Sequence, residues 1–239
     1  MTLIIIQARM GSKRLPGKVM MKINGKPMLY YIIRQIRNSK FNPEIIVATS
    51  NLPKDDIIEE YVKSQNVRIF RGSENDVLDR YYQCAKTSSN EPIIRICADS
   101  PFIDPQIIDQ SIEKFMSVKP DYLSNIIEKD KDVWIEGSCG FPIGTAVEVF
   151  SFSALEKTWN NSIDPYEREH VTEYIIKHSK DFKLDNIKNS INLSKYRIVV
   201  DHPYDFELAS KIILKFSEDE IFNISKVIAI LKKFSENKN

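Results

Sequence analysis

Short apolar runs alternate with amphipathic stretches along most of the chain. Four runs rich in β-branched residues predict strands, because such side chains pack well on a pleated, buried surface; they are residues 3–6, 44–48, 67–70 and 93–97. Between these runs, apolar residues recur every three or four positions, which predicts helices over residues 28–36, 76–86 and 105–116. Apolar strands that alternate with helices predict an α/β fold, with a mostly parallel sheet covered by helices on both faces.

The regular alternation breaks down over residues 121–150. Turn-forming residues crowd together there, namely Gly137, Ser138, Gly140, Pro142 and Gly144. They predict a small irregular β excursion that lines a site or carries a subunit contact, and that returns in a strand at residues 146–150. Beyond it, the pattern predicts a late strand and further helices: the strand at residues 196–200, and helices over 153–159, from 164, over 203–216 and over 224–234. No repeat or linker divides the chain, so we predict one domain, residues 1–239.

Cap signals mark the starts of some predicted helices. Asp104 precedes a proline at the first helical position, as an N-cap residue commonly does. Asp164 also precedes a proline, and Glu167 is placed to complete a capping box with it. Asp205 is interpreted as a cap or a helix-surface residue.

Composition and charge exclude several classes of protein. The chain has 239 residues, of which 42% are hydrophobic and 28% charged, as in ordinary folded domains. Its 34 Lys and Arg nearly balance 33 Asp and Glu, which gives no support to a nucleic-acid partner. No apolar run approaches the roughly 20 residues that cross a bilayer, so membrane insertion is not expected. The three cysteines are widely spaced and form no CxxC pair, which favours a reducing, cytoplasmic location.

A basic segment directly follows the first predicted strand. Residues 7–18 contain two glycines, a serine and four cations, namely Arg9, Lys13, Arg14 and Lys18. At the ligand-binding edge of a parallel sheet, such a loop can turn backbone N–H groups and cations toward a polyphosphate. The segment is not a P-loop, because residues 11–17 are one residue too long and Val19 replaces the Ser or Thr; there is also no GxGxxG. On composition alone, a solvated basic turn is an equally good interpretation.

Residues 5–18 (IIQARMGSKRLPGK), followed by residues 25–28 (GKPM), resemble the N-terminal signature of the sugar-acid cytidylyltransferases, which include the 3-deoxy-manno-octulosonate (KDO) and acylneuraminate enzymes. Residues 70–82 and 164–172 are similar to the spore coat polysaccharide SpsF-like branch, and the resemblance spans residues 4–208. It implies a Rossmann-like, GT-A-like nucleotidyltransferase fold. It also implies a homodimer, with magnesium as cofactor, that transfers CMP from CTP to an acidic, KDO- or nonulosonate-like sugar and releases pyrophosphate, for surface polysaccharide biosynthesis.

The resemblance assigns nucleotide-binding roles to the basic segment and to one later loop. Lys18 matches the lysine of the family's Leu-Pro-Gly-Lys motif and, with Arg9 and Asp99, is predicted to be catalytic. Cations here would stabilise the charge that pyrophosphate gains as its bond breaks. The predicted nucleotide-binding residues are Ala8, Arg9, Gly11, Ser12, Lys13, Arg14, Lys18, Arg71 and Ser73. Backbone groups near Ala8 and residues 71–73 would bind cytosine, whereas Asp76 and Asp79 have an equally good interpretation as helix-opening partners of Arg80.

Two aspartates are the predicted magnesium ligands. Asp99 lies in an Ala-Asp-x-Pro motif whose aspartate holds Mg²⁺ in the similar enzymes, and Asp201 resembles their second aspartate, at the end of the late strand. Magnesium prefers such hard oxygen ligands in ones and twos, with phosphates and water completing its shell. The alternative interpretation is that each aspartate is a turn or cap residue.

Three residues are candidates for binding the acceptor. Glu148 closes the segment 144–148 (GTAVE), where SpsF-like sequences usually have GLDVE, so one expected acidic side chain is absent. Arg168 and His170 lie near the start of the helix at Pro165, where either would meet a substrate carboxylate. A plain exposed helix surface is an equally good interpretation of these two residues.

Alternative functions remain open from the sequence. The nearest is a cytidylyltransferase for a phosphonate or another phosphorylated small molecule. A nucleotide-sugar-dependent glycosyltransferase would be expected to have an Asp-x-Asp pair at the end of a sheet strand, and the predicted strands have none there. A non-catalytic nucleotide sensor would be expected to lack Lys18 or one of the two aspartates, and all three residues are present.

Overall fold

The computed structural model describes residues 1–131, 133–137 and 139–236. Within them, a central sheet of seven strands has the order β11-β7-β10-β6-β1-β4-β5. All neighbouring strands of this sheet are parallel except at β10, which is antiparallel to both of its neighbours. The strands are β1 (Leu3–Gln7), β2 (Lys22–Ile23), β3 (Lys26–Pro27), β4 (Glu44–Ser50), β5 (Arg68–Gly72), β6 (Ile93–Cys97), β7 (Tyr122–Ser124), β8 (Ile127–Asp130), β9 (Val133–Glu136), β10 (Glu148–Phe150) and β11 (Leu184–Asn186). The helices are α1 (Met28–Arg37), α2 (Asp56–Ser64), α3 (Val77–Lys86), α4 (Pro105–Val118), α5 (Phe152–Asn161), α6 (Pro165–His170), α7 (Glu173–Lys177), α8 (Pro203–Ile213) and α9 (Ile224–Glu236).

The sheet separates two apolar cores. Side chains alternate across a strand, so Ile4 and Ile6 of β1 pack with α1, α2 and α4, whereas Leu3 and Ile5 pack with α3, α5 and α7. All four are fully buried. A strand buried on both faces is apolar throughout, which is why the pattern at residues 3–6 predicts a central parallel strand. The predicted α/β class and mostly parallel sheet are confirmed.

The predicted late strand at residues 196–200 is wrong. This extended segment pairs with its neighbour only through an isolated bridge between Arg197 and Ile143. Just beyond this bridge, the backbone of Gly144 packs directly against that of Val199. The sheet instead ends in β11, a short strand that the apolar pattern does not predict.

The irregular excursion is shorter than predicted, because β7 and β10 lie at its two ends and both belong to the central sheet. Between them, β8 and β9 form a separate hairpin. Asn125 ties the ends together, donating to Thr145 O at 2.7 Å and accepting from Val147 N at 2.8 Å. The turn predicted at Ser138 lies outside the described residues. The subunit contact expected at residues 130–150 stays a prediction.

The cap at Asp104 is confirmed, since its side chain accepts from Gln106 N at 2.9 Å. Asp164 likewise caps α6, but Glu167 does not complete a capping box. Glu167 is buried instead and binds Ser162 and Lys177. None of the helices in the described ranges is long and apolar enough to cross a membrane.

Candidate active site

A cavity of about 500 Å³ opens at the carboxyl ends of β1 and β6. The chain leaves β1 toward β4 on one side, whereas β6 lies on the other, so the cavity is at a switch point of the parallel sheet, where such folds bind ligands. The basic segment covers it and the end of α6 forms one wall. The lining residues are Gln7, Arg9, Ser12, Lys13, Arg14, Lys18, Val19, Arg95, Cys97, Ala98, Asp99, Glu169, His170 and Asp201.

The basic segment is folded back on itself by its own backbone. Gly17 N donates to Met10 O at 3.0 Å, and Ser12 Oγ accepts from Leu15 N at 3.4 Å. Gly17 has φ of 72°, which glycine adopts without strain. The amide of Ala8 is used within the sheet, donating to Ala48 O at 3.2 Å, so this N–H is not directed at a ligand.

Asp55, which the sequence analysis does not identify, anchors the start of this segment. Its buried carboxylate accepts hydrogen bonds from Met10 N at 2.8 Å, from Thr49 Oγ1 at 2.9 Å and from Ser50 N at 3.0 Å. The Ser50 hydroxyl is a further donor. Burial by itself raises the pKa of Asp55, but these donors outweigh it and hold the pKa below the usual value of 3.8.

We expect Asp55→Asn to lower the free energy of unfolding at pH 7 by about 2–4 kcal/mol, because an amide cannot accept all of these bonds. Since the folded-state pKa lies below the unfolded one, the stability that the carboxylate contributes is complete above the unfolded pKa. It is lost as the pH falls from 3.8 through the folded pKa. Urea unfolding should therefore show that the difference in the free energy of unfolding between wild type and variant is constant near neutral pH and becomes smaller below pH 3.8.

The matched control for that measurement is Asp56→Asn, at the exposed neighbouring carboxylate, which should change stability by less than about 0.5 kcal/mol. A difference between wild type and Asp55→Asn that stays constant through the acid range would contradict the assigned role of Asp55.

Lys18 joins the two predicted metal ligands. Its ammonium lies 3.1 Å from Asp201 Oδ1 and 3.4 Å from Asp99 Oδ2, and it donates to Val200 O at 2.7 Å. Lys18 itself is buried. Asp201 also contacts Arg14 at 2.9 Å and Arg197 at 2.8 Å. Burial raises the pKa of Asp201, but the positive charges of Lys18 and the two arginines lower it by more. The pKa is therefore below its usual value of 3.8, and the carboxyl group is ionised at neutral pH.

Asp201 reaches this position without a sheet strand before it, which corrects the expected placement. Val200 N donates to Asp99 O at 2.8 Å, so the segment lies directly against the end of β6. Asp205, at the start of α8, accepts from the backbone N–H groups of Asp201 and His202, both at 2.9 Å. The cap expected at Asp205 is therefore confirmed, although this side chain is buried rather than on the helix surface.

The donor set at Asp99 and Asp201 fits magnesium. Both carboxylates share Lys18 as a neighbour, and magnesium is commonly held by one or two carboxylates together with phosphate oxygens. Among the residues described, no group of three or more His, Cys, Asp or Glu side chains forms a complete metal cage. An ion here would therefore depend on the substrate's phosphates for part of its shell.

Arg71, Ser73 and Gly11 do not line the cavity. Arg71 binds Asp56 at 2.6 Å and Glu59 at 2.7 Å, and Ser73 Oγ accepts from Asp76 N at 3.0 Å. Their assignment to nucleotide binding stays a prediction.

The helix-opening interpretation of Asp76 holds, because its side chain caps α3 through Asp79 N at 2.9 Å. The expected pairing with Arg80 is wrong. Asp76 pairs with Arg168 at 2.8 Å, Asp79 accepts from Gln83 and Trp159, and Arg80 is fully buried and donates to Ser73 O.

The three acceptor candidates have different environments. His170 lines the cavity beside Glu169. Arg168 does not line it and instead binds Asp76 and Ser162 O, so its contact with a substrate stays a prediction. Glu148 is 2% exposed and lies behind the cavity wall, so it does not contact a ligand directly; it binds Arg95, which does line the cavity.

The sequence analysis also missed Gln7, Arg95 and Cys97 as lining residues. A signal was present, because Arg95 and Cys97 are polar residues two apart in an otherwise apolar strand.

Comparison with known proteins identifies the family of this chain. A family model described as cytidylyltransferase matches residues 3–237. The spore coat polysaccharide biosynthesis protein SpsF of Bacillus subtilis is 31% identical over 97% of this chain and 94% of its own length. The 3-deoxy-manno-octulosonate cytidylyltransferase of Trichlorobacter lovleyi is 32% identical over 47% of this chain and 44% of its own. A solved cytidylyltransferase from Leptospira borgpetersenii superposes with a TM-score of 0.89, 33% identity, and coverage of 99% of this chain and 96% of that one. The chain therefore belongs to the cytidylyltransferase family and is a CTP-dependent nucleotidyltransferase.

Proposed function

We propose that this enzyme transfers CMP from CTP to an acidic sugar of the KDO or nonulosonate type and releases pyrophosphate. The observation that carries the proposal is that one cavity combines a cationic loop with Lys18, Asp99 and Asp201, and its volume of about 500 Å³ suits small-molecule substrates. The names of the similar proteins, one for polysaccharide biosynthesis and one for a KDO cytidylyltransferase, support an acidic sugar as the acceptor.

In this reaction an acceptor hydroxyl attacks the α-phosphorus of CTP, and the bond to the β-phosphate breaks as pyrophosphate leaves. Arg9, Lys13 and Arg14 would bind the phosphates, since all three line the cavity. The guanidinium of Arg9 is held by Glu74 O, at 3.1 Å, and by Glu169, at 3.3 Å.

Lys18 would stabilise the charge that develops on the leaving pyrophosphate; its burial and its bonds to three oxygen atoms support this role. Asp99 and Asp201 would hold Mg²⁺, which when bound neutralises phosphate charge and polarises the reacting phosphorus.

The activity is tested by incubating the protein with each nucleoside triphosphate, Mg²⁺ and a panel of acceptors, while measuring pyrophosphate release. The panel contains 3-deoxy-manno-octulosonate, N-acetylneuraminate, a phosphonate and a phosphorylated alcohol. Release with CTP and a sugar acid supports the proposal. Release only with the phosphonate or the phosphorylated alcohol would replace the acidic sugar with that acceptor class.

We expect CTP to bind at least about tenfold more tightly than UTP. The two nucleotides differ only in the base: the exocyclic amine donor and the N3 acceptor of cytosine are replaced in uracil by a carbonyl acceptor and an N–H donor. The expectation comes from the joint occurrence of the segments at residues 8–18 and 71–80. Isothermal titration calorimetry with CTP, UTP, ATP and GTP measures it directly. Equal or tighter binding of any of the other three would contradict it.

A further inference from the structure

The floor of the cavity contains polar side chains that the phosphate chemistry does not use. Arg95 and Cys97 are two residues apart on β6 and therefore face the same side of the sheet, and Gln7 is paired with Cys97 in the register of β1. All three line the cavity. Of these three side chains, Arg95 is the cation.

Glu148 fixes the position of Arg95. The two residues are direct partners in the register of β10 and β6, and Arg95 Nη1 donates to Glu148 Oε2. The other oxygen of Glu148 accepts from Tyr122 OH at 2.8 Å and from the Thr172 hydroxyl. Burial raises the pKa of the Tyr122 phenol well above its usual value, so it remains a donor. The buried carboxylate is thereby held by three donors and orients the guanidinium without reaching the cavity.

Arg95 keeps hydrogen-bonding capacity that the protein does not use. Its Nε is buried and has no partner, and its Nη2 has only a long contact of 3.4 Å to Gln7 Oε1. Buried donors without partners are rare in folded proteins, because leaving one unsatisfied is unfavourable. A ligand hydroxyl oxygen is a suitable acceptor for these donors.

Arg95 lies away from the residues that are predicted to bind the base. Cytosine is expected near residues 71–73, at the end of β5, which is three strands away from β6 across the sheet. Arg95 lies two residues inside the end of β6, about 7 Å along the strand, whereas Asp99 follows that end, so Arg95 lies deeper in the sheet than Asp99. His170 and Glu169 also line this cavity. This part of the cavity is left for the acceptor.

We propose that Arg95, oriented by Glu148, binds a hydroxyl of the acceptor remote from the reacting one, so that the enzyme selects polyhydroxylated acids of sufficient length. The inference rests on the proposed function and adds its specificity-determining residue. Glu148 acts here as a positioning residue.

The test is Arg95→Lys, which keeps a positive partner for Glu148 but loses the planar set of additional donors. With CTP and 3-deoxy-manno-octulosonate, we expect the KM for the acid to rise about 10- to 100-fold, while kcat and the Kd for CTP stay within about twofold. A six-carbon 3-deoxy-2-keto sugar acid, which lacks the distal hydroxyls, should show no such rise. An unchanged acceptor KM, or an equal loss with both acids, would overturn the inference.

The matched control is Arg68→Lys. Arg68 on β5 also pairs with a glutamate on the adjacent strand, Glu44 of β4, but it lies outside the cavity. The Arg68→Lys variant should leave the KM values for both acids unchanged. If the lysine variant at position 95 does not fold, as judged by thermal unfolding, the double variant Arg95→Met/Glu148→Met removes both buried charges and is expected to show the same selective rise.

The failures of the two proposals are distinguishable. If the wild-type protein binds CTP but releases no pyrophosphate with any sugar acid, the proposed function is overturned, and this inference with it. If the wild type is active and only the discrimination between long and short acids is absent or unaffected by Arg95→Lys, the function stands and the role of Arg95 is overturned.

Discussion

Replacing Lys18 by alanine is expected to lower kcat by about 10²- to 10³-fold and to raise the Kd for CTP by less than about tenfold. The ammonium is held by Asp99, Asp201 and the carbonyl of Val200 at one end of the cavity. A cation that mainly meets the charge of the departing pyrophosphate stabilises the transition state more than the bound substrate. The loss should therefore fall on turnover.

Steady-state kinetics and CTP calorimetry on the same preparation separate these two effects. Lys22→Ala, at an exposed lysine of the β2–β3 hairpin, is the control and should leave both quantities unchanged. Thermal unfolding of the Lys18 variant checks that the sheet is intact. A higher KM for CTP with unchanged turnover would show that Lys18 only binds substrate.

Asp99→Asn and Asp201→Asn are each expected to reduce kcat by about 100-fold or more, and the double variant should be hardly slower than either single one. Each change keeps the shape of the side chain and removes one charge from the site. Non-additivity is expected on two grounds, because the two carboxylates share Lys18 as well as the proposed magnesium ion. The double-mutant cycle alone does not separate these grounds.

A magnesium titration makes that separation. If the aspartates hold the ion, raising the Mg²⁺ concentration should partly restore the kcat of the single variants. If the two aspartates are coupled only through Lys18, their effects should be non-additive but added Mg²⁺ should not restore kcat. Asp185→Asn, which removes a carboxylate paired with Lys114 outside the cavity, is the control and should be fully active. Normal activity of Asp99→Asn, or simple multiplication of the two defects without rescue, would return both residues to structural roles.

The apolar pattern predicts the centre of the sheet well, because β1, β4 and β6 each have buried apolar residues on both faces of the sheet. It fails at β11, whose three residues include Asp185 and Asn186 and carry no apolar signal. It also overpredicts a strand at residues 196–200, since an apolar extended segment has the same pattern whether it pairs along its length or through one bridge.

For the site, sequence resemblance was sufficient to select Lys18, Asp99 and Asp201, and the structure brings all three together. The sequence did not show that Glu148 lies behind Arg95, because this contact depends on the register of an antiparallel strand 53 residues later in the chain. Asp55 was missed for a similar reason, because it anchors the loop through a hydrogen bond from Met10 N, which is distant from it in the sequence.

The attachment of Asp201 has a consequence for the stability of the site relative to that of the sheet. Asp99 directly follows a strand in the middle of the sheet, whereas the segment before Asp201 is fixed by a single bridge, by the bond from Val200 to Asp99 and by the cap at Asp205. Segments with few backbone bonds open with a smaller free energy than central strands. We therefore expect the segment that carries Asp201 to open at a lower free energy than the central strands, so that a molecule with an intact sheet transiently lacks one of the two carboxylates.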